Sequence, residues 1–146
     1  MFTVTTAAKF SHTQQKQIGK VGDKPTIELV RVDWESDEDM IPTFVEDEGE
    51  EYREENEKRL AAYNRGEWWY NGCRAVAVVS YPIDDHGNRR LQEFTSGGLW
   101  GIESDVDSNY RNEIHGEELA DLKGHLEVFG VDTSDFETKS RHIHSK

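Results

Sequence analysis

Three features of this 146-residue chain predict an α+β domain, an antiparallel sheet of three to four strands with two helices packed on it. The first is WWYNGCRAVAVVSYPI, Trp68 to Ile83, the one stretch where apolar residues follow closely enough to make a core strand. Within it Cys73, Ala75, Ala77, Val79 and Tyr81 alternate with Arg74, Val76, Val78 and Ser80, the period of a strand whose successive side chains leave opposite faces. Both sets contain apolar residues, so the strand is central. The second feature is the link from Pro82 through Asp84-Asp85-His86-Gly87-Asn88 to another strand at Arg89 to Thr95. So short a loop makes a hairpin and cannot hold a parallel crossover. The third is a helical period from Ser108 or Asn109 to Phe129, where Tyr110, Ile114, Leu119, Leu122, Leu126 and Phe129 recur on one side.

The remaining elements follow from local chemistry. Residues 1–24 are rich in Thr, Gln, Lys and Ser without a period and read as a flexible N-terminal arm. Residues 25–137 read as one domain, and 138–146 as a solvated C-terminal tail. Thr26 to Trp34 alternates as a strand. Glu35 to Glu48 is acidic but contains Met40, Ile41, Phe44 and Val45, so it either folds back on the core or exposes an apolar spot inside an acidic surround. A helix is expected from Glu48 to Arg65, with a thin inward stripe of Tyr52, Asn56, Leu60 and Tyr63. Glu54 with Lys58 and Glu55 with Arg59 are i,i+4 pairs in the favourable order, and Gly66 suits the left-handed C′ position. Leu99 to Ile102 offers a short further strand or an apolar edge tucked under a helix. Asp107 or Ser108 caps the second helix, and Gly130 ends it with Val131 placed for the C-terminal hydrophobic contact.

Composition narrows the class. The apolar fraction is 34%, so the core is small and the polar ends are not part of it. The single cysteine, Cys73, excludes an internal disulfide and suits a reducing cytoplasm. No apolar run approaches the ~20 residues that span a bilayer, and Met1-Phe2-Thr3-Val4 lacks the layout of a signal peptide. The expectation is a soluble cytoplasmic protein.

Motifs for catalysis or metal binding fail on inspection. Asp105-Val-Asp107-Ser-Asn109 opens like a calcium loop, but Tyr110 stands where glycine is needed and Gly116 where a bidentate glutamate is needed, so helix capping explains it better. His142 and His144 lack a supporting carboxylate in register. Cys73 lies mid-strand as a small hydrophobe, and Ser96-Gly97-Gly98 lacks the nucleophile elbow. Gly97-Gly98-Leu99-Trp100-Gly101 is no phosphate loop, because no Lys-Ser/Thr follows and Glu103, Asp105 and Asp107 would repel phosphate. An enzyme would need a carboxylate in a pocket, Glu93 or Glu103 beside Trp100. The expectation is no catalysis, no cofactor and no metal. Trp68, Trp69 and Tyr70 in succession must point to both faces, and a partly exposed Trp beside an acidic field would anchor a protein partner.

Charge carries the functional reading. The net charge is −13, gathered in two blocks: thirteen carboxylates against one arginine over residues 33–57, and eleven against two basic residues over 101–137. Such a field repels nucleic acid and favours basic partners. In size and acidity the whole chain resembles the small acidic inhibitors encoded by phages and plasmids, anti-restriction and anti-CRISPR proteins among them. The resemblance implies a DNA-mimic surface that binds the basic surface of a nucleic-acid-binding protein; it has no diagnostic motif and transfers no residues. The first helix alone is a poor mimic: it would span ~27 Å, over which duplex DNA carries roughly sixteen charges, and its own net charge is −2. A convincing surface needs Glu35, Asp37, Glu38, Asp39, Glu46, Asp47 and Glu48 of the first block to share a side with Glu113, Glu117, Glu118 and Asp121 of the second helix. The alternative is an interaction module whose acidity keeps it soluble and whose aromatics bind a partner.

Overall fold

The apolar run becomes the middle of the sheet because both of its faces need cover. In the computed structural model, which describes residues 24–43 and 50–144, it forms β2 (Tyr70–Pro82). On one side β1 (Thr26–Ser36) pairs with it from Thr26 opposite Ser80 to Ser36 opposite Asn71. On the other side two short strands lie end to end. β3 (Arg89–Thr95) pairs with the C-terminal half, and β4 (Leu99–Glu103) with the N-terminal half. All pairings are antiparallel and the sheet has four strands.

The long helix α2 (Ser108–Val128) covers one face. Its Leu119, Leu122 and Leu126 close a core with Ile27, Val30, Ala75, Ala77, Val79 and Phe94, and its Ile114 packs with Cys73 and Ile102. Burying each of the larger aliphatic side chains contributes about 1.5–3 kcal/mol, which is how a thinly apolar chain holds one domain together. Asp107 caps the helix by accepting from the Tyr110 amide at 2.8 Å. At the other end Gly130 takes φ 77°, and the amides of Gly130 and Val131 donate to the carbonyls of Glu127 and Leu126.

The first helix is held by charge more than by burial, as its thin stripe leads one to expect, but one of its ion pairs differs. A 3-10 turn (Glu50–Tyr52) leads into α1 (Arg53–Asn64), which ends at Gly66 in the same hydrogen-bonded motif. None of its residues is buried, and Tyr52 and Leu60 of the expected inward stripe are exposed. The Glu54–Lys58 pair forms at 3.3 Å, but Arg59 turns away from Glu55 to reach β4 and the turn after it. Its guanidinium forks onto Asp105 and also donates to Glu103, and with Tyr63 packed on Trp68 and Tyr70 it ties the helix down.

The tail also differs. Where the composition of 138–146 suggests a solvated end, α3 (Phe136–Ser140) and a following 3-10 turn (Arg141–His144) fold back. Phe136 and Ser140 are buried, and Ile143 packs against the main core. The apolar Phe136 and Ile143 draw a basic segment in. Among the described residues no helix is long and apolar enough to cross a membrane.

Candidate partner-binding site

Where β4 joins β2 the register slips between Asn71 and Cys73, so Trp100 and Gly101 stand opposite the single residue Gly72. Gly72 points away from α2, because Cys73 beside it faces the helix. The six-membered ring of Trp100 rests on this glycine: a Cβ there would lie 1.9 Å from its Cε3. The indole Nε1 lies against Gly98 in the same way, and Gly101, at φ 74°, receives the side chain of Met40. Glycines thus let a large ring lie directly on the backbone, yet Trp100 keeps 47% of its surface exposed.

The acidic loop following β1 closes around that ring. The Asp37 amide donates to the Tyr70 carbonyl at 2.8 Å, extending the β1–β2 ladder by one bond. Its carboxylate then reaches across to accept from the Gly101 amide at 3.0 Å, the N–H that the bulge turns out of the ladder. Glu35, Ser36, Asp37, Glu38, Asp39 and Trp100 line an open cavity of about 460 Å³. The side chains of Glu35, Glu38 and Asp39 make no hydrogen bond or ion pair among the described residues. Met40 folds onto the sheet while Ile41 stays 62% exposed, so this loop both packs back and presents an apolar spot. Glu46, Asp47 and Glu48, with Phe44 and Val45, lie outside the described residues.

The helix carboxylates are elsewhere. α2 lies across the other face of the sheet, and the side chains of Glu118 and Asp121 reach the β3–β4 turn that borders the Trp100 seat. Both are engaged in the fold. Glu118 accepts from the Ser96 hydroxyl at 2.7 Å and the Gly98 amide at 2.9 Å, and Asp121 accepts from the Gly97 amide at 2.7 Å. Ser96 in turn accepts from the Ala75 amide. These bonds clamp the β3–β4 turn to the helix and hold up the far side of the Trp100 seat. Glu113 and Glu117 are exposed. None of these four lines the Trp100 cavity with Glu35 to Asp39.

The neighbouring aromatics show what this chain does with a tryptophan beside carboxylates. Trp68 is 1% exposed, packed edge-on against Tyr63 and Tyr70, and its ring carries the Arg59 guanidinium at 3.9 Å. The fork onto Asp105 raises the Arg59 pKa further and holds the Asp105 carboxyl below its usual range. Trp34 carries Arg111 at 4.0 Å and donates to His115 at 2.9 Å. Trp69 is exposed, with its indole N–H on Asn71. Glu93 and Glu103, the carboxylates considered for a pocket, are ion-paired with Arg31 and Arg59. Burial pushes the Cys73 thiol up to about 12, far from a reactive thiolate. Among the described residues no cluster of three His, Cys, Asp or Glu side chains is placed to hold a metal.

Comparison with known proteins finds no matching family model, no similar curated protein and no similar solved structure. Class and site are thus defined by geometry: an α+β domain with a glycine-seated, half-exposed tryptophan inside an acidic rim. Sequence reasoning named the rim but missed its centre. The sequence offers Leu99 to Ile102 as a strand and Trp100 as a pocket wall beside Glu93 or Glu103; the signal for the seat is glycine two residues before Trp100 and one after it, beside a strand that itself carries Gly72.

Proposed function

We propose that this chain is a non-catalytic acidic binding protein that inhibits a nucleic-acid-handling host enzyme, of the restriction or CRISPR type, by covering its basic surface. The observation that carries the reading is the acidic rim, Glu35 to Asp39, gathered with the exposed Trp100 at one open cavity. A charged rim steers a basic partner and sets orientation, and a central aromatic supplies the apolar contact that holds it. The loop block does this without Glu118 and Asp121, whose carboxylates hold the β3–β4 turn. The chain's overall field of −13 keeps nucleic acid itself away.

The test immobilises the protein, passes lysate of a candidate host at about 0.1 M salt, and elutes with a salt gradient. A nucleic-acid-binding enzyme released by salt, competed off by DNA or RNA, and lost when Glu38 and Asp39 are reversed to Lys supports the reading. Asp37 is left alone because it also bonds Gly101. A second reading, a regulatory interaction module anchored by its aromatics, is favoured by the exposure of Trp69 and Trp100 together. It predicts a partner that resists salt and ignores nucleic acid.

A further inference from the structure

We infer that the Trp100 cavity is a receptor for one arginine side chain of the basic partner, with the guanidinium stacked on the indole and forked onto the rim carboxylates. This deepens the partner-binding reading and rests on it for the owner of the arginine. The argument is internal to the molecule. Of its four tryptophans, two carry an arginine guanidinium at 3.9 and 4.0 Å from the ring centroid. At Trp68 that guanidinium also forks onto Asp105 and donates to Glu103, so ring, cation and carboxylates form one unit. Trp100 repeats the ring and the carboxylates. No guanidinium of the described residues stacks on its ring, although Arg74 stands beside Gly98 on the same face of the sheet.

The chemistry selects arginine over lysine. A guanidinium is planar and weakly hydrated, so it stacks on an indole and donates in a fork at the same time; an ammonium is a compact, strongly hydrated point charge. Trp100 is held on Gly72 and Gly98 and does not have to reorganise to receive it. Asp37 keeps one oxygen on the Gly101 amide, which fixes the other at the rim. Glu35, Glu38 and Asp39 supply further acceptors around the same 460 Å³ opening.

The experiment titrates ¹⁵N-labelled protein with three capped tripeptides, Gly-Arg-Gly, Gly-Lys-Gly and Gly-citrulline-Gly, and follows the indole N–H of Trp100. Saturable movement of that signal by the arginine peptide, at least about fivefold tighter than by the uncharged citrulline peptide and weakened in the E38Q/D39N variant, is expected. An equal response to arginine and citrulline, or movement confined to other residues, overturns the inference. Its failure is separable from failure of the partner reading. A basic protein captured equally well by wild type and by Trp100→Leu removes the arginine receptor and leaves the partner standing. Arginine-selective binding at Trp100 with no basic protein captured keeps the receptor and removes the partner.

Discussion

Trp68 and Trp100 flank the same end of β2, each with carboxylates close by, and they meet opposite fates. Trp68 is sealed by Tyr63, Tyr70 and the Arg59 guanidinium, and its indole N–H donates to the Arg59 carbonyl at 3.0 Å. Trp100 sits on glycines, touches backbone beneath it, and is open above. The difference teaches that aromatic ring plus carboxylate is a stabilising unit when the chain supplies the cation, and an unfilled one when it does not. α1 supplies Arg59 to the first; among the described residues no guanidinium stacks on the second.

Mutations sharpen the contrast, and the largest effect belongs to the filled site. Trp68→Ala should cost about 3–5 kcal/mol in urea unfolding, because it opens a cavity and strips the Arg59 tether of its base. Trp100→Ala should cost about 1 kcal/mol and register in partner binding instead. A loss at Trp100 as large as at Trp68 would erase the comparison.

Next in size is the seat. Gly72→Ala places a methyl where the Trp100 ring lies, at an expected cost of about 1–3 kcal/mol. The same substitution made together with Trp100→Ala should be nearly harmless, and a thermal-melt double-mutant cycle reads the coupling. Glu118→Ala, which strips acceptors from the Ser96 hydroxyl and the Gly98 amide, should cost a similar 1–3 kcal/mol. Glu113→Ala and Glu117→Ala should fall within about 0.5 kcal/mol of wild type, since both residues are exposed on α2.

The smallest expected effect is acid sensitivity of the filled site. The hydrogen bond from Arg59 lowers the Asp105 pKa below its ordinary 3.8 in the folded protein. Its contribution is therefore complete above that ordinary value and lost as pH falls through the lowered one. Asp105 is half exposed, so solvent screening keeps the loss to ~0.5 kcal/mol or less. Melting temperatures of wild type and Arg59→Met between pH 5 and 2 should converge as acid is added; a gap that stays constant would show that the tether is packing rather than charge.

Several elements were legible because their cause is local. β3 runs over Arg89–Thr95 as the hairpin loop requires, and α2 starts at Asp107 and ends at Gly130 because capping needs only neighbours in sequence. α1 was less legible. Arg59 has a carboxylate four residues back and three-dimensional partners more than forty residues on, and the fork onto Asp105 offers better geometry than a flexible surface pair. Phe136 falls inside the expected domain, while the segment after Glu137 is less legible because its basic residues mask the apolar Ile143.

By itself, then, the sequence determined the α+β class, the central strand, the hairpin, the caps and the two acidic blocks, since alternation, turn residues and charge runs act over a few positions. Tertiary structure decided which carboxylates bind the fold and which face outward. It sent Glu118 and Asp121 to the β3–β4 turn, bound Glu103 and Asp105 to Arg59, and set Trp100 on Gly72. Those outcomes depend on strand register between segments 28 residues apart, and a one-residue slip there would have turned Trp100 onto other neighbours.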